Sequence, residues 1–230
     1  DVNPGNINVT IPANTPMGSG YRIRIESSDP VVIGCDTFPP DINGTSRFAE
    51  RLAGGLARHG NDVHVIAPAF DKNYGTSTEI IDGSPMTVHR IKSYKLPQHK
   101  TLRWIWPFNL QSKTAKILRE VKPDAVHIQS HLIMGRALVN SAKRQGIRVL
   151  ATNHIMPENL IKYSVIIPGF LEKTAMKLAW ADAGRILKKV DFVTTPTRRA
   201  AELLEAAAGV KHVLAISCGI DASKFANTTP

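Results

Sequence analysis

The sequence predicts an α/β protein with a Rossmann-like, doubly wound and mainly parallel sheet. Strand and helix candidates alternate along the chain, which is the order of a parallel sheet covered by helices. The strand candidates are apolar through most of their length, as strands buried on both faces are. The strand candidates are 31–35, 62–67, 86–91, 124–129, 147–152, 191–195 and 212–217, and the helix candidates are 45–59, 109–121, 133–145, 169–189 and 197–208.

The first strand, loop and helix are the most informative elements. The run 31–35 reads VVIGC and predicts a buried strand. The loop 36–44 contains two prolines and an Asn-Gly pair, which are typical of a turn. A helix is predicted from Thr45, because apolar residues recur at helical spacing and Gly60 is placed to end it. These apolar residues are Phe48, Leu52 and Leu56.

The later elements repeat this order of strand, polar loop and helix. Strand 124–129 precedes helix 133–145, and strand 191–195 precedes helix 197–208. The longest helix candidate, 169–189, comes before strand 191–195. In a doubly wound sheet, ligands bind at the carboxyl ends of the strands. Polar residues that directly follow the predicted strands are therefore the candidates for a functional site.

A phosphate site is predicted at the start of the first helix. Free N–H groups and the positive end of the helix dipole attract an anion, and Gly44 lets the backbone approach it. Arg47, in the first helical turn, would add a cation. The alternative is an ordinary turn glycine with Thr45 near the N-cap, together with an Arg47 that is exposed to solvent.

Other polar residues also follow predicted strands. Asp36, His131 and His154 each come just after a strand candidate, and Glu158 and Asn159 follow a few residues later. A histidine at a strand end can form a hydrogen bond with a ligand hydroxyl, so these residues are candidates for a ligand-binding cleft. The alternatives are a loop histidine bonded to backbone, and a helix cap for Glu158 and Asn159.

Three segments resemble the first domain of the retaining GT-B glycosyltransferases of family 4. The loop 39–45 resembles the family's P-x-x-G-G-like loop, with Asn43 where many members have the first glycine. The segment 151–160 resembles the family's strand-end histidine segment. The segment 216–225 resembles its V-x-N-G-V-D-x-x-x-F run, with Cys218 at the usual asparagine. The resemblance extends over roughly residues 31–225.

This resemblance implies an enzyme that moves a sugar from a nucleotide-sugar donor to an acceptor hydroxyl with retention of configuration. His154 matches the family's sugar-contacting histidine and is the predicted catalytic residue. In such an enzyme, the sugar and acceptor cleft would be lined by Asp36, His131, Glu158 and Asn159. The implied mechanism is front-face attack, with the leaving diphosphate stabilised by backbone and cationic groups. We therefore expect no metal and no other cofactor, which agrees with the lack of a D-x-D motif and of clustered histidines.

The resemblance and the composition also predict the domain organisation. Residues 1–30 are rich in Asn, Pro, Gly, Thr and Ser and are expected to form a flexible leader. Residues 31–225 correspond to the N-terminal, acceptor-side domain of a GT-B enzyme. The nucleotide-sugar domain would be a partner in cis that this chain lacks, so the chain alone is expected to be inactive.

A basic and aromatic stretch predicts a membrane edge. The segment 89–122 holds many Lys and Arg residues against a single acid, Glu120, with tryptophans between them. This mixture is typical of an interfacial membrane anchor. A solvated helix face beside a loop packed by its tryptophans is the alternative, and we expect no nucleic-acid partner because no nucleic-acid-binding motif accompanies the charge. The predicted membrane edge comprises Lys92, Lys95, Lys100, Arg103, Trp104 and Trp106.

The composition narrows the partners and the location. The 230 residues carry a formal charge of +10, which favours anionic partners without choosing among them. Two cysteines are too few for a disulfide framework, and no apolar run has the length of a membrane span. We expect a cytoplasmic protein, peripheral on the inner membrane face, with a lipid or glycolipid acceptor and an anionic membrane surface as partners.

Other functions stay open at this point. The same enzyme class could act on a soluble phosphorylated acceptor. A non-catalytic Rossmann-like module could instead bind an anionic partner through its basic face. The nucleotide-binding domain of an oxidoreductase is disfavoured, because no G-x-G-x-x-G follows the first strand.

Overall fold

The computed structural model describes residues 30–95, 103–158 and 168–219. The expectations for the leader 1–29, for Lys100, for Asn159 and for the end of the 216–225 segment lie outside these residues.

The fold is built on a mainly parallel sheet of eight strands. These are β1 (Val31–Gly34), β2 (Val63–Pro68), β3 (Gly75–Ile81), β4 (Ser84–Ile91), β7 (Ala125–Ile128), β8 (Arg148–Thr152), β9 (Phe192–Thr195) and β10 (Leu214–Ala215). Their order across the sheet is β10-β9-β8-β7-β1-β2-β4-β3. Within this sheet, β3 and β4 pair antiparallel and the other neighbours pair parallel. A separate two-stranded ribbon is formed by β5 (Tyr94–Lys95) and β6 (Arg103–Trp104).

The helices cover both faces of the sheet. They are α1 (Gly44–Arg58), α2 (Leu110–Val121), α3 (Ile133–Arg144), α4 (Glu172–Leu187) and α5 (Arg198–Ala208), with a short 3-10 helix, Gly169–Leu171, before α4. Side chains alternate across β1, so Val31 and Ile33 join one core with α1. Val32 joins the other core, which contains buried residues of α2, α3, α4 and α5. The sheet therefore has a hydrophobic core on each face, which confirms the predicted Rossmann-like architecture.

The strand order reverses at β1. The chain first builds β2 and β4 on one side of β1 and later places β7, β8 and β9 on the other side. A crevice therefore opens between the loops that follow β1 and β7, at the carboxyl ends of both strands. Such a topological switch point is where doubly wound sheets bind ligands.

The structure adds the strand β3 and the β5–β6 ribbon, which the sequence analysis missed. The polar strand β3 pairs with β4 as a hairpin, and its first five residues, GTSTE, are mostly exposed at the sheet edge. The signal was present in the Asp82-Gly83 pair, where both residues have positive φ, as a tight hairpin turn requires. The helix α1 also begins one residue earlier than predicted, at Gly44.

Candidate active site

Side chains of the loop between β1 and α1 hold the start of the helix. Asn43 is the N-cap, because its Oδ1 accepts a hydrogen bond from the Ser46 N–H at 2.9 Å. The Asn43 Nδ2 donates to Thr37 Oγ1 at 2.7 Å, and Ser46 Oγ donates to the Asp41 carbonyl at 2.7 Å. Asn43 is therefore the capping residue, and it fixes the loop.

The first turn of α1 has the properties of an anion site. Gly44 and Thr45 are the first two helical residues, so their N–H groups have no acceptor within the helix. Gly44 is exposed, and a Cβ built on it meets no described atom within 4 Å. The first turn contains no acidic residue that would repel an anion. The predicted phosphate position is thus accessible in the part of the chain that the structure describes.

Arg47 lies on the exposed side of α1. Its Nη1 is 2.8 Å from Oε2 of Glu50, and its side chain is more than half exposed. Surface ion pairs of this kind contribute little to stability, so the guanidinium can leave Glu50 for another anion. This placement is compatible with both readings of Arg47, which stays a predicted phosphate contact.

His154 packs against the same helix. Its ring centroid is 4.8 Å from that of Phe48 on α1, and its Nε2 is 3.2 Å from Oε1 of Gln129. A carbonyl oxygen accepts hydrogen bonds, so this contact places the proton on Nε2 and leaves Nδ1 as an acceptor. Burial lowers the pKa of His154 to about 4, and the ring is therefore neutral near pH 7. Within the described residues Nδ1 has no hydrogen-bond partner, and a neutral imidazole with such an acceptor nitrogen suits a ligand hydroxyl.

Asp36 ties the end of β1 to the start of α3. Its Oδ1 accepts the Met134 N–H at 2.8 Å, and its Oδ2 is hydrogen-bonded to Ser130 Oγ. Burial raises the pKa of Asp36, while these bonds and one from the Gly135 N–H act against the rise. Asp36 therefore caps α3 from another strand. It lies at the predicted cleft, but its oxygens already have protein donors.

His131 is enclosed behind the crevice. It is 3% exposed, and its Nδ1 lies 3.0 Å from Oδ1 of Asn153. Burial lowers its pKa. Nearby, Arg136 and Asp182 form an ion pair between α3 and α4, and the Arg136 hydrogen bond lowers the pKa of Asp182. These contacts hold the buried ring in place, and a role for His131 in the acceptor cleft stays a prediction.

Glu158 contacts α4. Its Oε1 accepts a hydrogen bond from Trp180 Nε1 at 3.0 Å, and its buried Oε2 has no partner among the described residues. Glu158 thus keeps one acceptor atom for a further group. The predicted neighbour Asn159 lies outside the described residues.

Two amide side chains of the candidate site, Gln129 and Asn153, were not singled out by the sequence analysis. Gln129, fully buried at the end of β7, orients His154, and its Nε2 is unpartnered in the described chain. Asn153, buried at the end of β8, joins His131 and donates to the Ile155 carbonyl at 3.0 Å. Their only signal was their place directly after an apolar strand, which they share with many structural residues.

The predicted membrane edge is largely on the surface. Lys92, Lys95, Trp104 and Trp106 are exposed, with Trp106 at 54%, so the tryptophans do not pack the loop from inside. Arg103 differs, because its Nε donates to Ser93 Oγ at 2.6 Å and its guanidinium lies 5.4 Å from the centroid of the Phe70 ring. We define the aromatic-basic edge as Phe70, Tyr74, Lys92, Tyr94, Lys95, Arg103, Trp104, Trp106 and Phe108.

Within the described residues, no three His, Cys, Asp or Glu side chains lie close enough together to hold a metal ion. The expectation of a metal-independent reaction stays a prediction. No helix in the described ranges combines the length and apolar character that crossing a membrane requires.

Comparison with known protein families matches residues 42–224 to the model of Glycosyltransferase Family 4. A GDP-mannose-dependent alpha-mannosyltransferase of Mycobacterium tuberculosis is 27% identical over 201 residues, covering 85% of this chain and 49% of the relative. An alpha-monoglucosyldiacylglycerol synthase of Acholeplasma laidlawii is 25% identical, covering 71% of this chain and 39% of the relative. The chain spans about half the length, or less, of the curated relatives it matches.

The fold is also found among solved structures. A sucrose-phosphate synthase structure from Thermosynechococcus elongatus has a TM-score of 0.51 and 14% identity. The match covers 86% of this chain and 93% of that one. At this identity the likeness supports the fold alone.

Proposed function

This chain belongs to glycosyltransferase family 4, and we propose that it forms the acceptor-side half of a retaining enzyme that transfers a sugar from a nucleotide-sugar donor to a hydroxyl of a lipid acceptor. A second Rossmann-like domain in cis would hold the donor nucleotide. The names of the two relatives describe α-glycosyl transfer, one from GDP-mannose and one to diacylglycerol, and they support this assignment.

One contact carries the proposal. The ring of His154 lies 4.8 Å from that of Phe48, which is one turn from the start of α1. The anion site at Gly44 and the imidazole at the end of β8 therefore belong to one crevice. A nucleotide sugar has a diphosphate next to a sugar ring. In this proposal the diphosphate lies at the N–H groups of Gly44 and Thr45, and the sugar ring lies beside His154.

The chain's own groups account for the polar steps near the reacting carbon. As the sugar–phosphate bond breaks, negative charge develops on the leaving phosphate, and the N–H groups of Gly44 and Thr45 are oriented toward such a charge before the reaction begins. Arg47 adds a mobile cation. The neutral His154 accepts a hydrogen bond at Nδ1 from a sugar hydroxyl and so orients the ring. In this proposal the departing phosphate takes the proton of the acceptor hydroxyl.

A lipid acceptor is favoured by the aromatic-basic edge. This surface lies on the same side of the sheet as the crevice, because it follows the carboxyl ends of β2 and β4. Exposed tryptophans beside lysines are typical of proteins that rest on an anionic bilayer. In this proposal the enzyme acts at the inner face of a membrane. A soluble phosphorylated acceptor is the alternative, since the same lysines attract phosphate.

The function is tested with the full-length enzyme in a donor and acceptor screen read by release of nucleotide. GDP-mannose and UDP-glucose are offered with diacylglycerol or phosphatidylinositol in vesicles, and with soluble sugar phosphates. We expect release only with one donor and a vesicle acceptor, and product analysis should show an α-linkage. The isolated 230-residue chain is the control, and it should release no nucleotide. Transfer to soluble sugar phosphates alone would contradict the lipid acceptor, and turnover by the isolated chain would contradict the two-domain enzyme.

A further inference from the structure

We propose that a groove beside β3 binds the hydroxylated ring of the acceptor's head group, such as a sugar or a cyclitol. The groove has a volume of about 370 Å³, near the lower end of small-molecule sites. Its lining includes Pro40, Phe70, Asn73, Tyr74 and Arg90. The identification of the ligand as the acceptor rests on the proposed function, but the binding of a hydroxylated ring can be measured without any catalysis.

The groove adjoins the proposed active site. Because β3 runs antiparallel to β4, its first residue, Gly75, pairs with Arg90 at the carboxyl end of β4. This is the edge of the sheet where β1 ends. Pro40 lines the groove and also belongs to the loop that leads to Gly44. A ring in the groove would therefore lie along the same loop that the donor phosphate contacts at its other end.

The walls of the groove suit a sugar ring. Phe70 and Tyr74 are 43% and 59% exposed, so their rings offer apolar surface to a ligand. The C–H faces of a sugar pack against such rings, while its hydroxyls need polar partners. Asp71, Asn73 and Thr76 line the groove. Asn73 donates to Asp71, and Thr76 Oγ1 is hydrogen-bonded to His89, so the hydroxyls would use the remaining lone pairs of these oxygens and the second N–H of the Asn73 amide.

The charges in the groove favour hydroxyls over phosphate. The Arg90 guanidinium is already bound by Glu79, with Nε–Oε1 at 2.9 Å and Nη2–Oε2 at 2.5 Å. Asp71 contributes a second carboxylate to the lining. Carboxylates accept hydrogen bonds from hydroxyls and repel a phosphate group, so the groove selects an uncharged ring.

Apart from Arg90, which is paired with Glu79, the nearby cations lie just outside this groove. Lys92 Nζ is 5.7 Å from the centroid of the Tyr74 ring, and Arg103 is 5.4 Å from that of Phe70. Neither cation is among the residues that line the groove. The two aromatic side chains therefore belong to the groove and to the aromatic-basic edge at once. A lipid whose ring enters the groove would have its phosphates and its bilayer next to these cations.

Binding is tested by nuclear magnetic resonance on the 230-residue chain. Methyl α-glucoside, methyl α-mannoside, myo-inositol and inorganic phosphate are titrated separately. We expect at least one hydroxylated ring to shift the amide signals of Asn73, Tyr74 and Gly75 with a dissociation constant on the order of 1–10 mM, the weak affinity of a single small ring. Tyr74→Ala should weaken this binding at least about tenfold, whereas Ile80→Ala, at an exposed position of β3 outside the lining, should leave it unchanged. Shifts with phosphate alone, or with none of the rings, would overturn the proposal.

A kinetic measurement separates this proposal from the proposed function. In the full-length enzyme, Tyr74→Ala should raise the acceptor KM about tenfold and leave the donor KM unchanged. If the rings bind the chain but the enzyme transfers no sugar, the groove stands and the proposed function fails. If the enzyme is active and Tyr74→Ala leaves the acceptor KM unchanged, the groove is not the acceptor site.

Discussion

At the scale of single residues, the hydrogen bond to buried Gln129 and the neutral state of the ring decide what His154 can do. Its pKa of about 4 means that the ring stays neutral from pH 5 to pH 8, so it acts through hydrogen bonding. His154→Ala in the full-length enzyme should lower kcat about 100-fold or more and change the Kd of the donor nucleotide little, because the proposed contact is to the sugar. Steady-state kinetics and nucleotide titration provide the two numbers.

A matched variant shows whether the proton on His154 matters. Gln129→Glu replaces the amide beside Nε2 by a carboxylate and should raise the histidine pKa, so that the pH profile of kcat gains an inflection between pH 5 and 7. If His154→Ala weakens nucleotide binding as much as it lowers kcat, the histidine contacts the nucleotide and the assignment to the sugar is wrong.

Gly44 is tested by a side chain that the fold can accept. A Cβ at Gly44 meets no described atom within 4 Å. The free energy of unfolding of Gly44→Val should therefore differ from that of the native chain by no more than about 1 kcal/mol. In the full-length enzyme, activity should be abolished because the side chain would occupy the place of the phosphate. Denaturant unfolding and nucleotide release measure the two effects.

The control for this substitution lies on the same helix. A Cβ at Gly55 likewise meets no described atom within 4 Å, so Gly55→Val carries the helix cost of valine without approaching the site. It should keep full activity. Normal activity in a folded Gly44→Val enzyme would remove Gly44 from the phosphate site.

At the scale of elements, the aromatic-basic edge is testable by charge removal. Lys92 and Lys95 are exposed, whereas Arg103 bonds Ser93 and supports the loop. Each lysine near an anionic bilayer contributes about 1 kcal/mol, so Lys92→Ser with Lys95→Ser should weaken binding to phosphatidylserine vesicles about 30-fold. Added salt should have a similar effect. Vesicle sedimentation measures this binding.

A double variant on the opposite side of the sheet provides the control. Arg119→Ser with Arg144→Ser removes the same charge from exposed positions near the ends of α2 and α3, which precede the amino ends of β7 and β8. This variant should bind vesicles almost as well as the native chain. Equal losses in both variants would mean that net charge, and not this edge, directs binding. If the native chain ignores anionic vesicles at low salt, the edge has no membrane role.

The elements show which parts of the fold were predictable. Apolar runs such as 31–35 and 124–129 define β1 and β7 because buried parallel strands leave a continuous signal. The strand β3 leaves almost none, since its first residues are exposed and polar and its stability comes from pairing with β4. The candidate site was likewise only partly predictable from the sequence. The segment 151–160 predicted His154 as a site residue, and that assignment stays a prediction. Its contact with Phe48 could not be predicted, because it joins two elements that are distant in sequence.

At the scale of the whole molecule, buried histidines link stability to pH. Burial lowers the pKa of His127 to about 4, against 6.5 for an unperturbed histidine. Between these values the unfolded chain binds a proton that the folded chain does not, so acidification favours unfolding. The destabilisation begins near pH 6.5, increases by up to about 1.4 kcal/mol per pH unit, and is complete below about pH 4.

One substitution isolates this contribution from those of other groups. His127→Gln removes the titration and keeps an amide for Thr152, which now lies 2.8 Å from Nε2 of the histidine. The unfolding free energy of this variant, relative to the native chain, should increase as the pH falls from 7 to 4.5. Urea unfolding at several pH values measures the difference, and a constant difference would show that His127 does not titrate as proposed.

The contact between Asp36 and α3 has a consequence for the direction in which a substrate can lie. Two helices, α1 and α3, begin at the switch point, and each offers N–H groups that seek an oxygen atom. The Asp36 carboxylate accepts hydrogen bonds from the first turn of α3, so it occupies the position that a substrate oxygen could otherwise take there. In α1 the Asn43 side chain accepts only the Ser46 N–H, so the N–H groups of Gly44 and Thr45 have no acceptor within the helix. We therefore expect the anionic end of an elongated substrate to lie at α1 and not at α3, so that the substrate enters the crevice in one orientation.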